Sequence, residues 1–478
     1  MQAPLSRREL PASVDFPSLH ALAPRRYPCL LQSVAHGNPR SRFDLLLGFP
    51  QQGLRLDVDG RVRDLAGNEC GTDFLAELDC LWRATFASLV ERDRAESTGE
   101  DAFDPTSHAE NLPFHGGWAL YLGYELAARI EPRLKLPPAP GAMPVALALR
   151  CPVALIRDHE SGCVEAIIEA DAELDAEEVF AQIETDCAAL AASEASPSPE
   201  HPHITAPQPD SPESFLQGAE RILDYIRAGD VFQVNLSRGW SSPLPEGIST
   251  LALYRSLCHA NPAPFAGLFA WDDWAVMSSS PERLLSVRDG MVETRPIAGT
   301  RPRFAGDDDA ERVRELVGHP KERAEHIMLI DLMRNDLGRI AAPGSVEVDE
   351  LMTVESYAHV HHIVSNVRAQ LREDKSPIDA IRAVFPGGTI TGAPKVRCME
   401  IIAELEGTGR GPYTGSIGYL DRNGTLDLNI LIRTLWLHRG VLRLRAGAGI
   451  VADSQAQAEL AETEAKARGM LRALGAGG

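Results

Sequence analysis

Residues 278–303 read SSSPERLLSVRDGMVETRPIAGTRPR. An apolar run follows Pro281, Arg288-Asp-Gly290 is a turn signal, and the short run Met291-Val-Glu-Thr294 follows it, so the stretch predicts two short antiparallel strands. A second turn is predicted at Pro296-Ile-Ala-Gly-Thr300. Antiparallel pairing sets the head of one strand beside the end of the other, which brings Glu282 and Thr300 to a shared cleft.

Downstream, residues 321–338 read KERAEHIMLIDLMRNDLG directly after Pro320. They predict a helix with Glu322 and Glu325 on one face. His362 falls on a strand-like run, His359 to Ser365. Residues 385–397, FPGGTITGAPKVR, are not a phosphate loop, because Ala393 stands where that motif needs lysine. A strand from Val441 ends at Gly447-Ala448-Gly449, whose backbone N–H groups would suit a carboxylate. Ser454-Gln-Ala-Gln457 predicts a capping box, after which Glu459, Glu462 and Lys466 share a stripe. From the spacing alone, a solvated face with a Glu462–Lys466 pair is the better account of that stripe.

Upstream, residues 193–211 are rich in Pro and Ser and predict a linker between an N-terminal region, 1–192, and a C-terminal region, 212–478. A helix is predicted over 212–228, then a strand over 231–238 with Gln233, Asn235 and Ser237 on one side and Phe232, Val234 and Leu236 on the other. Before the linker, strands are expected in 27–50 around a turn at Gly37 to Pro39, over 145–157 and over 162–170. Helices are expected over 76–94 and 176–192, with a polar loop from Glu96 to Asn111.

With 478 residues, 44% apolar and 24% charged, the chain is long enough for a large core and is not disordered in composition. A net charge of −21 with no basic cluster disfavours nucleic acid and acidic lipid as partners. The N-terminus has no apolar stretch of the secretory kind, and the most apolar window, 142–156, is interrupted by Arg150, so a cytoplasmic protein outside membranes is expected. The eight cysteines, at 29, 70, 80, 151, 163, 187, 258 and 398, contain no CxxC pair, which argues against a zinc site or a disulfide framework.

Ser280-Pro-Glu-Arg283, Pro296-Ile-Ala-Gly-Thr300 and Phe385 to Lys395 together resemble the chorismate-utilising enzymes, and the likeness runs from about Pro28 to Lys466. The resemblance implies an α/β (α+β) fold: two β-sheets stacked face to face, helices outside, strands from both sides of the linker. It implies magnesium held by Glu325 and Glu462, and Glu282 as the acid that protonates the departing 4-hydroxyl. His362 would lie near the ring. Arg433, Lys466, Gly447, Ala448, Gly449, Thr391, Gly392 and Ala298 would line the substrate site, and Thr300 and Gln233 would join Glu282 and His362 as catalytic residues. Leu30-Leu-Gln-Ser33 with Arg42 and Phe43 matches a stretch that forms a tryptophan pocket in several members, although Gln32 stands where glutamate is usual.

Water-adding members carry lysine at the position of Gln233, and a glutamine cannot take a proton from water, so an amine nucleophile is implied. Ser41-Arg-Phe-Asp44, Gly116-Gly-Trp118 and Ile390 to Arg397 look more like the aminodeoxychorismate branch, which aminates C4 for p-aminobenzoate and folate synthesis. That branch commonly has a lysine nucleophile where this chain has Ala298, as the anthranilate branch does, and both products stay open. A chorismate-binding protein without activity is a further alternative. No cysteine sits in the Gly-x-Cys-x-Gly setting of a glutaminase nucleophile, so a separate class I glutaminase subunit is the expected ammonia source.

Overall fold

The run predicted as one strand over residues 145–157 is two strands in different sheets. In the computed structural model, which describes residues 5–35, 42–96, 112–192, 202, 204–302, 314, 320–356 and 360–475, Ala146–Cys151 and Val153–Asp158 are separated by Pro152 alone. Proline has no N–H for a ladder and bends the chain, so the strand crosses from one layer to the other there.

The first sheet runs Leu5–Glu9, Val164–Glu169, Val153–Asp158, Phe43–Gly48, Cys29–Gln32, Phe265–Trp271, Trp274–Ser280, Thr434–His438, Val441–Ile450, Gln233–Pro243, Gln208–Pro209, with Gly392–Ala393 also paired to Gln233–Pro243. The second runs Ile297–Pro302, Val360–Gln370, Met291–Thr294, Arg283–Arg288, Leu426–Asn429, Ser416–Asp421, Gly117–Leu122, Ala146–Cys151, Gln52–Leu56, Val62–Asp64, Glu69–Gly71, with Glu347–Ser356 on the far side of Val360–Gln370. Each sheet joins a block of five strands from before residues 193–211 to a block of strands from after them. Of that segment, residues 202 and 204–211 are described; Ile204 is buried and Gln208–Pro209 joins the first sheet.

The sheets face each other through one apolar layer that includes Tyr121, Leu147, Ile156, Phe269, Trp274 and Trp436. The Tyr121 and Trp274 rings, one from each sheet, are 4.9 Å apart. Each such side chain contributes on the order of 1.5–3 kcal/mol on burial, so this layer fixes the relation of the sheets. Helices cover the outer faces: Phe16–Leu22, Ala176–Ala192, Pro212–Arg227, Thr250–Ala260, Lys395–Glu406 and Ala456–Ala473 on the first sheet, Phe74–Glu96, Pro320–Gly338 and Pro377–Val384 on the second. Pro212–Arg227 shows why the periodicity was legible: Phe215, Ala219, Ile222 and Leu223 are its buried stripe, and the Ser211 hydroxyl caps it by accepting from the Ser214 N–H. No helix among the described residues is long and apolar enough to cross a membrane.

The predicted hairpin forms, with Ser286 opposite Glu293 and Arg288 opposite Met291 around Asp289-Gly290. The turn predicted at Pro296 to Thr300 does not. Ile297–Pro302 is a strand on Val360–Gln370 whose register shifts between Ala298 and Thr300, with Gly299 at φ +72°. Glycine supplies the left-handed residue that a bulge needs, and sheet pairing overrides the local turn chemistry. The turn at Gly37 to Pro39 and residues 97–111 of the expected polar loop lie outside the described residues.

Candidate active site

The site is built on one pair of strands. Gln233–Pro243 and Val441–Ile450 run antiparallel, with Asn235 opposite Gly449, Leu236 opposite Ala448 and Ser237 opposite Gly447. The Asn235 N–H goes to the Thr391 carbonyl and the Ser237 N–H to Glu406, so Leu236 and Ala448 are the pair that exchange ladder bonds. Gly447 and Gly449 therefore turn their N–H and C=O groups to the opposite edge. That edge is open, because Thr434–His438 pairs only as far as Leu435 opposite Leu444. The expectation of three consecutive N–H donors is corrected: Ala448 is committed to the ladder, and only Gly447 and Gly449 face the opening.

Four groups ring that edge. Lys466 Nζ donates to the Gly447 carbonyl at 3.0 Å and pairs with Glu462 Oε1 at 2.7 Å, with both side chains about half exposed. The predicted capping box is absent. The Ser454 hydroxyl accepts from the Val451 N–H and is engaged in the preceding turn, and Ala456–Ala473 starts behind Gln455 with no side-chain cap. At the other end, the Gln233 amide Nε2 donates to Glu325 Oε1 at 2.8 Å, and a Cβ on Gly449 would lie 2.5 Å from that nitrogen. Glu325 is half-buried on Pro320–Gly338. Among the described residues no cluster of three or more His, Cys, Asp or Glu is spaced to hold a metal, so a cation there would need Glu325 and Glu462 completed by water or substrate oxygens.

Glu282 is fixed by its own motif. The Ser280 hydroxyl accepts from the Glu282 N–H and donates to the Ile430 carbonyl, while the Ile430 N–H bonds back to the Glu282 carbonyl. The Glu282 carboxyl is buried, accepts from Thr389 Oγ1 at 2.9 Å, and is hydrogen-bonded to the Ile297 backbone. Burial pushes it up to about 7, against the opposing pull of Thr389, Ile297 and the Lys466 charge. Glu282 thus meets the start of the bulged strand. Thr300 and Ala298 are on that strand opposite His362 and Ile363. The His362 ring is buried; desolvation first, then the Arg433 charge, push it down to about 4, so it is neutral at pH 7.

Arg433 occupies the turn before Thr434–His438 with φ +51°, where the register would set it opposite Ala446. It is half-buried, and desolvation lowers its pKa. Its guanidinium has no ion pair or hydrogen bond among the described residues. A cation in that position needs an anion.

The 385–397 loop closes the cleft beside Glu282. Thr391 is fully buried and its hydroxyl donates to the Gly387 carbonyl, so it holds the loop together and does not face the opening; Thr389 does. Gly392, at φ +128°, lets the loop lie on Gln233, since a Cβ would collide with the Gln233 carbonyl oxygen. Buried Arg410 ties the loop to the strand by donating to the Ile390 and Asn235 carbonyls, and Glu125 holds Arg410 in place by accepting its backbone N–H.

The sequence reading missed Tyr413. Its hydroxyl has no hydrogen-bond partner among the described residues and lies 2.7 Å from where a Cβ on Gly447 would be. Only the Gly-rich run Gly407 to Gly415 marks its turn in the sequence. Ser33, Arg42 and Phe43 lie elsewhere. They line a cavity of about 730 Å³ between Pro264-Phe265-Ala266 and the Arg283–Arg288 strand, and Glu282, Glu325 and Glu462 are not part of its lining. The Gln32 amide there is committed, donating to Asp44 and accepting from the Tyr254 hydroxyl. Arg42 is paired with Asp158, its guanidinium 4.7 Å from the Phe43 ring centre.

Comparison with known proteins identifies the family and the fold. The chain is 41% identical over 391 residues to an anthranilate synthase component 1 of Thermus thermophilus, covering 80% of this chain and 83% of that one. It is 49% identical over 267 residues to the aminodeoxychorismate synthase component 1 of Bacillus subtilis, a match spanning 56% of each chain. The crystal structure of anthranilate synthase component I from Streptococcus pneumoniae superposes with a TM-score of 0.76 at 31% identity, covering 91% of this chain and 93% of that one. Residues 68–472 match the chorismate binding enzyme model, and the chain belongs to that family of chorismate-utilising enzymes.

Proposed function

We propose that the chain is component I of an aminodeoxychorismate synthase: it aminates chorismate at C4 to 4-amino-4-deoxychorismate, for p-aminobenzoate and folate synthesis. The observation that carries amination is the Gln233–Glu325 hydrogen bond. An amide that donates to a carboxylate has no basic atom with which to deprotonate water, whereas ammonia brings its own lone pair. Support for the C4 branch comes from 41–44, 116–118 and 390–397 and from the 49% identity to the Bacillus relative.

Glu282, with its carboxyl pushed up to about 7, is the general acid. As ammonia forms the new C–N bond, the C4–O bond breaks and the Glu282 proton leaves with the hydroxyl as water. The proton released by the new amine restores the acid. Arg433 and the open N–H groups of Gly447 and Gly449 bind substrate carboxylate, with Lys466 beside them, and neutral His362 offers a hydrogen bond near the ring. Glu325 and Glu462 would hold magnesium, which would supply positive charge for a substrate dianion in an acidic chain. A class I glutaminase subunit supplies ammonia at high local concentration. The 730 Å³ cavity with Ser33, Arg42 and Phe43 is proposed for tryptophan.

Ala298 favours a second reading, anthranilate synthase component I, because a methyl group cannot form the covalent intermediate of the lysine-bearing members. Incubation with chorismate, ammonium and magnesium separates the readings. A product that keeps the enolpyruvyl group supports the proposal, anthranilate supports the second reading, and no turnover would leave a binding protein.

A further inference from the structure

Asn235 shares the inward side of its strand with Gln233 and Ser237. Its neighbours are engaged: Gln233 donates to Glu325, and Ser237 donates to Glu406 and accepts from Arg445. Asn235 is 8% exposed, yet neither end of its side-chain amide makes a hydrogen bond among the described residues, and Oδ1 is wholly enclosed. Leaving such a group unpaired is unfavourable, and native interiors rarely do so without a ligand or an ordered water.

Its position identifies what completes it. A Cβ on Gly447 would lie 2.8 Å from Asn235 Oδ1 and 2.7 Å from the Tyr413 hydroxyl, so all three groups bound one small space. The Gly447 N–H opens on the neighbouring edge, and the 411–415 turn that carries Tyr413 packs on the chain just before Arg433, through Thr414 N–H to Leu431 O and Leu431 N–H to Gly415 O. Asn235, Tyr413 and Gly447 each can donate, and Arg433 only donates. Donors gathered at one small space, with an unpaired cation two residues beyond the segment on which the Tyr413 turn packs, suit an acceptor-only group with a planar pair of oxygens.

We propose that Asn235 is a substrate-contacting residue that sets carboxylate specificity: its Nδ2 donates to the substrate carboxylate held by Arg433, while its Oδ1 accepts from the Tyr413 hydroxyl or a bridging water. This rests on the chorismate-binding reading of the site and on neither choice of product. Swapping the amide for a carboxylate of the same shape removes the donor and sets like charges face to face.

The test is equilibrium binding of chorismate, without ammonium or glutamine, followed by tryptophan fluorescence in the parent, Asn235→Asp and Asn235→Ala. Benzoate and uncharged benzamide serve as paired probes of the carboxylate. Asn235→Asp is expected to weaken chorismate at least tenfold and to erase most of the preference for benzoate over benzamide. Asn235→Ala should weaken chorismate about fivefold, and ammonium KM should be unchanged in any variant that turns over. A parent that binds no chorismate refutes the functional reading. A parent that binds chorismate, beside variants that bind it equally and keep the benzoate preference, refutes the role of Asn235. If Asn235→Asp does not fold, Asn235→Ala decides alone by the same two readouts.

Discussion

Replacing Arg433 by methionine separates a binding role from a structural one. The guanidinium is half-buried, has no counter-charge among the described residues, and is already destabilised as a cation by burial. Methionine has similar reach and no charge, and it meets the same left-handed backbone at φ +51°, so the turn is no more strained than before. Folding thus loses no ion pair and sheds a desolvation penalty. Binding loses the cation that faces the substrate carboxylate, and truncating one partner of a desolvated charge pair costs about 2–5 kcal/mol, or roughly 30- to 4,000-fold in affinity. Arg433→Met is expected to raise the Kd for chorismate by that factor and to lower kcat/KM in parallel, while Tm stays level or rises. Calorimetric titration with chorismate and a thermal melt on the same preparation check both halves. A Kd change under threefold, or a fall in Tm of several degrees, would refute the reasoning, because the guanidinium would then have a structural partner.

Three more outcomes follow from the same geometry. The Glu282 carboxyl is protonated below about 7 and loses its proton as pH rises, so kcat/KM at fixed free ammonia should fall about tenfold per unit above that point; Glu282→Gln should lose about 100-fold or more in kcat yet still bind chorismate. An unchanged pH profile would remove Glu282 from the acid role. Glu325→Ala and Glu462→Ala should each abolish turnover at ordinary magnesium without lowering Tm, since the Glu462 side chain is half exposed and Glu325 lies at the cleft; magnesium dependence like the parent's would exclude the ligand assignment. Gly392→Ala should unfold or strongly destabilise the protein by its clash with the Gln233 carbonyl, whereas Gly407→Ala, left-handed but with nothing near its Cβ, should cost about 1 kcal/mol. Equal melts for the two would contradict the loop packing.

What the sequence made legible was local. The Arg288-Asp-Gly290 hairpin, the stripe on Pro212–Arg227 and the alternation beginning at Gln233 are set by neighbours in the chain, and all are present. Resemblance supplied Glu282, Glu325, Glu462, Lys466 and Arg433, and the fold brings Glu325 and Lys466, the latter paired with Glu462, onto one strand pair. What was hidden depends on partners far away in sequence. The pairing of Ile297–Pro302 with Val360–Gln370 turned an expected turn into a bulged strand, and Pro152 sent two halves of one apolar run into different sheets. Ladder alternation withdrew Ala448 from the opening, the Ser454 hydroxyl was taken by Val451, and Tyr413 reached Gly447 across 34 residues of chain.

Pyruvate released per chorismate consumed is the most direct measure of the central claim. With purified chain, ammonium, magnesium and chorismate, a coupled lactate dehydrogenase assay run beside the loss of chorismate absorbance gives the ratio. Amination at C4 leaves the enolpyruvyl ether in place, so the account predicts chorismate loss with essentially no pyruvate until a lyase is added. One pyruvate for each chorismate, with the fluorescence of anthranilate rising in step, would contradict it.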